Sequence, residues 1–195
     1  KPLNTFRVIF LGDSFVENIQ IPKEGRFFRK FEKLINEKLK ALGSNKRVEV
    51  IAIGRGNTGT AQQYLMLKNK VFSYQPDLIV HMFLTANDIK NNSSELQDDP
   101  YLPYFKLNEK EELMIVPHLK RSQRRFATIK NILKESRTIE LALSARQKIR
   151  ERRKAQSEEY PIEYQVYKKQ YSNSYENAWN VTQKLILESK KIAEK

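Results

Sequence analysis

Short apolar segments alternate with helix-like segments through the first half of the chain. The apolar segments are residues 7–11, 47–53 and 78–84, and stretches at 25–42 and 60–74 lie between them. In those two stretches apolar residues recur at helical spacing, whereas the short segments end at glycine or polar turn residues. Strands that alternate with helices usually form parallel sheets with right-handed crossovers. We therefore predict an α/β fold with its three strands in the order 2-1-3.

Each predicted strand runs into a loop with residues suited to chemistry. The first is followed by Gly-Asp-Ser at 12–14, the second by the glycine-rich loop 54–59, and the third by Thr-Ala-Asn-Asp at 85–88. In a doubly wound sheet, ligands bind outside the carboxyl ends of the strands. The three loops should therefore face one crevice.

Acyl transfer is a reaction that these loops could support. It needs a nucleophile and convergent N–H donors for the developing oxyanion. Ser14 is the candidate nucleophile, and its own N–H, an N–H of the glycine loop and the Asn87 side-chain amide are candidate donors. Taken singly, each loop also fits an ordinary turn or helix cap. It is their combination that favours a site.

The glycine loop allows a competing interpretation. Gly54-Arg-Gly-Asn-Thr-Gly59 matches the dinucleotide fingerprint and lies between a strand and a helix. However, that fingerprint belongs to the first strand of its unit, and here another strand comes before it. The expected acidic residue should end the next strand, whereas Asp77 begins it. Both points weigh against nucleotide binding.

The strings FLGDSF, IGRGNTG and TANDIKNN, in this order over residues 6–92, resemble the first three motif blocks of the SGNH (GDSL) hydrolase superfamily. The resemblance implies a three-layer, flavodoxin-like fold and an ester hydrolase or acyl-ester transferase that works through an acyl-enzyme. It implies Ser14 as the nucleophile and Asn87 as an oxyanion donor, with Asp13 supporting the loop and Asp88 hydrogen-bonding the strand-end backbone. A small-molecule or carbohydrate ester would be the substrate, with no metal and no cofactor.

The second motif block departs from the family pattern. Relatives usually carry Asn where this chain has Ala52, and an ungapped match puts Asn57 at the position of the oxyanion glycine. Gly56 lies one residue earlier. We expect the Gly56 N–H to be the donor, because a one-residue adjustment of the loop would bring it into place. Asn57 is the alternative, since Asn tolerates a positive φ.

The base that would activate the serine is not evident. His81 is placed in the middle of the third predicted strand, away from its end, and His118 has no acid three residues before it. The resemblance implies a late Asp-x-x-His block, which this chain lacks. We expect the chain to be part of a longer protein, with two further strands missing. The alternatives are a non-catalytic member of the family, or recruitment of His118.

The remainder of the chain divides around a basic segment. We assign residues 1–92 to the N-terminal part of the α/β domain, 93–174 to a basic, largely helical insertion or cap, and 175–195 to a helix that returns to the domain. Residues 120–154 hold thirteen Lys or Arg and three Glu, a net charge of +10. We expect them to form one or two helices that face an anionic surface or substrate. A solvated helix is the plainer interpretation.

This basic segment also gives the alternative function, a non-catalytic SGNH-like module that binds an anionic polysaccharide or a membrane surface. Nucleic acid is an unlikely partner, because Phe126 is the one aromatic residue within the run and no nucleic-acid motif occurs. A fluorophosphonate label would distinguish an enzyme from such a module.

Composition sets the remaining limits. The absence of cysteine excludes disulfides and cysteine-based metal sites. No apolar run approaches the roughly eighteen residues of a membrane-spanning helix. The compartment is left undecided, with an extracytoplasmic location (periplasmic or secreted, its signal removed) favoured over a cytoplasmic one.

Overall fold

The computed structural model describes residues 1–97, 99, 102–116, 145 and 162–194. A parallel three-stranded sheet lies at its centre, formed by β1 (Thr5–Gly12), β2 (Arg47–Gly54) and β3 (Leu78–His81). The strand order is β2-β1-β3, which confirms the predicted 2-1-3 arrangement.

The third strand is shorter than predicted. It ends at His81, which pairs with Leu11, one residue before β1 itself ends. The Met82 N–H still reaches the Leu11 carbonyl at 2.8 Å. Beyond this point β1 has turned away, so the following residues have no strand to pair with. The placement of His81 in mid-strand was therefore wrong, and the residue lies at the carboxyl end of β3.

The helices follow the predicted periodicity with adjusted ends. They are α1 (Ser14–Glu17), α2 (Phe27–Ala41), α3 (Thr60–Asn69), α4 (Asp88–Asn91) and α5 (Asn173–Ala193). Lys23–Gly25 forms a 3₁₀ turn before α2, and Val71–Tyr74 forms another after α3, so both helices are shorter than expected. The Ser172 hydroxyl accepts the Tyr175 N–H and starts α5 two residues earlier than predicted. A further 3₁₀ turn spans Ile162–Tyr167.

Alternate residues of β1 point into two separate cores. Val8 and Phe10 pack with Phe28 of α2, whereas Ile9 and Leu11 pack with Leu67 of α3. Ile192 of α5 contacts the second cluster. This alternation is the period-two pattern of a strand buried on both faces. The sheet is therefore covered by helices on each side.

A small hairpin packs on the α3–α5 side. Its strands are β4 (Tyr104–Leu107) and β5 (Leu113–Val116), paired antiparallel. Phe105 of β4 is buried against Ala61 of α3 and Val181 of α5. The apolar string LMIVP at 113–117 predicts a small strand, which corresponds to β5, whereas β4 was not predicted. The predicted domain boundaries stay predictions, and the basic segment 120–154 lies outside the described residues apart from Ala145.

The two edges of the sheet differ. The Asn36 side chain, on α2, donates to the Val48 carbonyl and accepts the Val48 N–H, both at 2.8 Å, and so covers the edge of β2. No described strand pairs with the outer edge of β3. A groove of about 480 Å³ lies there between β3 and α5.

In the part of the chain that the structure describes, no helix is both long and apolar enough to cross a membrane.

Candidate active site

Ser14 lies directly beyond β1, as the first residue of α1. Asp13 caps this short helix, because its Oδ1 accepts the Phe15 N–H at 2.9 Å. The Asp13 carbonyl also accepts the N–H groups of Val16 and Glu17. These bonds fix the turn, and Asp13 itself is buried. Ser14 is partly buried, and its hydroxyl makes no hydrogen bond to another described residue.

The glycine loop after β2 passes directly against this turn. A Cβ on Gly54 would lie 2.6 Å from the Val16 carbonyl carbon and 2.7 Å from the Asp13 carbonyl oxygen. Only a residue without a side chain allows so close an approach. The contact brings the loop to the nucleophile, since a Cβ on Gly56 would lie 3.8 Å from Ser14 Cβ. The structure thus places Gly56 beside Ser14.

The Gly56 N–H, which we predicted as an oxyanion donor, has a partner in the structure. It donates to Glu17 Oε2 at 2.6 Å. Glu17 was not among the residues that sequence reasoning assigned to the site. It occupies the last position of α1, three residues after Ser14, and this spacing brings both side chains to one side of the helix. The three-residue spacing from Ser14 was therefore the sequence signal by which Glu17 could have been assigned to the site.

Asn57, the alternative donor, has a left-handed backbone with φ of 59°. Its side chain is held by two described residues: Nδ2 donates to Asp99 Oδ2 at 3.1 Å, and Oδ1 accepts from Gln97 Nε2 at 3.1 Å. Within the described residues, its backbone N–H donates to no other group. Gln97 and Asp99 therefore hold the loop beside Ser14.

Asn87 lies at the same end of the sheet as Ser14. Its Nδ2 donates to Asp13 Oδ2 at 2.9 Å. An amide nitrogen carries two hydrogens, so one remains for another acceptor. The Asn87 Oδ1 is buried and has no partner among the described groups. Asp13 thus connects the turn that presents Ser14 to the third predicted loop.

Asp88 ties the chain beyond β3. Its Oδ2 accepts the Leu84 N–H at 2.8 Å, and Leu84 is the end of the third predicted strand but three residues beyond the end of β3. The carboxyl is fully buried. Burial raises its pKa to about 7, and the nearby Asp13 charge acts in the same direction. Asp88 is therefore partly protonated near neutral pH.

A buried polar chain joins Asp88 to His81. Gln63 of α3, fully buried, accepts from His81 Nε2 at 2.6 Å and donates to Asp88 Oδ1 at 3.5 Å. Burial lowers the pKa of His81 to about 4, so the ring is neutral at pH 7. Sequence reasoning missed Gln63. It lies four residues before the apolar Leu67, on the same face of α3, and this spacing was the available signal.

Neither histidine is shown as a base for Ser14. The Nε2 of His81 is engaged by Gln63, and His118 lies outside the described residues. Within the described ranges, no cluster of three or more His, Cys, Asp or Glu could hold a metal ion.

The start of α3, where a dinucleotide would bind, is closed by the chain itself. The Gly59 N–H donates to Gln62 Oε1 at 2.7 Å, and the Ala61 N–H donates to Asn92 Oδ1 at 2.8 Å. These groups are among the free donors that a pyrophosphate uses at a helix N-terminus. A Cβ on Gly59 would lie 2.7 Å from the Asp88 carbonyl oxygen, and one on Gly54 would also meet backbone atoms, so close packing explains these two glycines without a nucleotide.

No protein-family model and no curated protein matches the sequence. Among solved structures, the chain is similar to the crystal structure of AlinE4, described as an SGNH-hydrolase family esterase. The identity is 23% and the TM-score 0.31, over 45% of this chain and 49% of AlinE4. An AlinE4 variant with an aspartate replaced by alanine is similar at 23% identity and a TM-score of 0.31, over 67% of this chain and 71% of that one. In the first comparison the match therefore spans about half the length of AlinE4.

Proposed function

We propose that this chain carries the nucleophile of a serine ester hydrolase or acyl-ester transferase, with Ser14 forming the acyl-enzyme. The observation that carries the proposal is the position of Ser14. It follows the central strand directly, in a turn fixed by Asp13, with the Gly56 backbone alongside. A reactive serine needs such a rigid turn and nearby N–H donors.

In the first step, Ser14 Oγ forms a bond to the carbonyl carbon of the ester and loses its proton to a base. The tetrahedral intermediate then collapses, the alcohol leaves with a proton, and the acyl group remains on Ser14. Water completes hydrolysis, or a second alcohol accepts the acyl group in transfer. No described side chain lies within hydrogen-bond distance of the Ser14 hydroxyl, so the base is not assigned.

The negative charge of the intermediate requires preorganised donors. The remaining Nδ2 hydrogen of Asn87 and the N–H groups of Ser14 and Gly56 or Asn57 are the candidates. Asp13 orients Asn87 through the bond to its Nδ2. Loss of one oxyanion donor typically slows such reactions about 100- to 1000-fold. The substrate class that fits is a small-molecule or carbohydrate ester, and we propose that residues 120–154 direct an anionic substrate or surface toward the crevice.

The proposal is tested with an activated ester, p-nitrophenyl acetate. We expect a burst of p-nitrophenol equal to the protein concentration, because the good leaving group makes acylation faster than deacylation and the acyl-enzyme accumulates. Ser14→Ala should abolish the burst, and Asn87→Ala should slow it about 100-fold or more. Ser73→Ala is the control, because that serine is exposed in the turn before β3. A burst that survives Ser14→Ala would contradict the proposal.

A further inference from the structure

The geometry points to Glu17 as an internal occupant of the oxyanion site. We infer that its carboxylate blocks the Gly56 N–H in the resting protein and that a substrate must displace it before acylation. This inference rests on the proposed function of Ser14. It assigns to Glu17 a regulatory role that the sequence motifs do not suggest.

The position of the Glu17 carboxylate is defined by two neighbours. Its Oε2 accepts the Gly56 N–H at 2.6 Å. If Gly56 carried a Cβ atom, that atom would lie 3.1 Å from the same Oε2 and 3.8 Å from Ser14 Cβ. The carboxylate oxygen is therefore bound to the donor, and it lies on the same side of Gly56 as the Ser14 Cβ. A negatively charged oxygen at this place resembles the oxyanion that an acyl-transfer intermediate would present.

The backbone of Glu17 is held while its side chain has room to rotate. The Glu17 N–H donates to the Asp13 carbonyl at 3.0 Å, and the close approach of Gly54 fixes the turn. The side chain itself is only partly buried and forms no ion pair with a described residue. Displacement thus requires a rotamer change of one side chain and no change of fold.

The hydrogen bond from the Gly56 N–H to Glu17 has a carboxylate as its acceptor, and such bonds are stronger than those between two neutral groups. A hydrogen bond to a charged group is about twice as strong as a neutral one, and an uncharged ester carbonyl is the weaker competitor. We therefore expect the blocked site to acylate about ten- to a hundredfold more slowly than an open one. The other interpretation is that Glu17 only tethers the glycine loop to α1. The two interpretations predict opposite effects of removing the Glu17 carboxylate. Loss of a block would speed acylation, whereas loss of a tether would slow it.

The first test compares acylation rates with p-nitrophenyl acetate. Glu17→Ala should acylate about ten- to a hundredfold faster than the native protein, and Glu17→Gln should also be faster, since a neutral amide is a weaker acceptor. Acetate should inhibit Glu17→Ala by replacing the lost carboxylate and should not inhibit the native protein. Glu24→Ala, an exposed residue of the turn before α2, is the charge-matched control. Rates that fall or stay unchanged in Glu17→Ala would overturn the inference.

The second test does not depend on catalysis. In the NMR spectrum, the Gly56 amide proton should move upfield in Glu17→Ala, and acetate should return it downfield. The native spectrum should not respond to acetate. An amide that is unmoved by the substitution, or by acetate in the variant, would refute the inference. If no variant acylates but Gly56 responds as described, the proposed function fails while the blocked anion site stands.

Discussion

At the scale of single residues, Gly54 has the clearest role. It lies where the end of β2 passes the backbone of α1, and a side chain there would collide with fixed atoms. Gly43, by contrast, has open space around its Cβ position and requires a glycine only for its φ of 69°. One glycine thus serves packing and the other serves backbone conformation.

Gly54→Ala should therefore destabilise the fold severely, by about 3 kcal/mol or more, as overpacked sites do. Gly43→Ala should cost about 1 kcal/mol, from the left-handed conformation alone. The measurement is urea unfolding followed by circular dichroism. Equal costs for the two variants would show that the close approach of α1 to β2 is not present in solution.

At the scale of elements, the edge of β2 depends on one side chain. Asn36 satisfies both the N–H and the carbonyl of Val48 from α2, and so replaces a neighbouring strand. Asn69, near the end of α3, donates only to the Leu65 carbonyl of its own helix, in an exposed position. The two asparagines form a matched pair for testing this role.

Asn36→Ala should lower the free energy of unfolding by about 1–3 kcal/mol, because two partly buried backbone groups lose their partner. Asn69→Ala should change it by about 0.5 kcal/mol or less. Chemical denaturation of both variants provides the measurement. The explanation fails if Asn69→Ala is as costly as Asn36→Ala.

The elements differ in how well the sequence predicts them. Strands β1 and β2 follow from apolar segments that end at glycine, and α2 follows from its helical spacing. The end of β3 could not be predicted, because Met82 to Leu84 are as apolar as the strand before them. The strand stops near the end of β1, its neighbour, which extends only one residue beyond the partner of His81. Strand β4 was missed because Lys106 interrupts its apolar residues and Pro103 precedes them, whereas β5 is four apolar residues in a row.

At the scale of the whole molecule, Gln63 of α3 links two groups whose protonation changes with folding, His81 of β3 and Asp88 of α4. The pKa of Asp88 is about 7 in the folded protein and 3.8 in the unfolded chain. The pKa of His81 is about 4 in the folded protein and 6.5 in the unfolded chain. From pH 4 to 7, the folded state holds a proton on Asp88 that the unfolded chain has lost, so this term lowers stability as pH rises. From pH 4 to 6.5, the unfolded chain holds a proton on His81 that the folded state lacks, so that term raises stability. The two terms oppose each other.

Substituting each group singly should reveal its own contribution to the pH dependence of stability. The stability of Asp88→Asn relative to the native protein should increase by about 4 kcal/mol from pH 4 to 7, since a unit of pKa shift corresponds to about 1.4 kcal/mol. The relative stability of His81→Asn should decrease by about 3 kcal/mol from pH 4 to 6.5 by the same relation. Thermal unfolding across this pH range is the measurement. A pH-independent difference for either variant would show that its group is not buried as described.

The sequence predicted the placement of the loops in the candidate site but not the contacts between their side chains. The strand-end rule correctly brought the loops of Ser14, Gly56 and Asn87 to one end of the sheet, because parallel strands share their direction. The rule does not describe side-chain partners. Spacing along a helix shows which face Glu17 and Gln63 occupy, but it does not show the partners that tertiary packing brings to them from other elements.

The central claim, that Ser14 is a nucleophile, is tested most directly by covalent labelling with a fluorophosphonate and mapping of the modified residue by mass spectrometry. The reagent reacts with serine hydroxyls that are activated, so an inert surface serine is not modified. We predict a single adduct on the peptide that contains Ser14, and none in Ser14→Ala. An unlabelled native protein, or an adduct on another residue, would contradict the account.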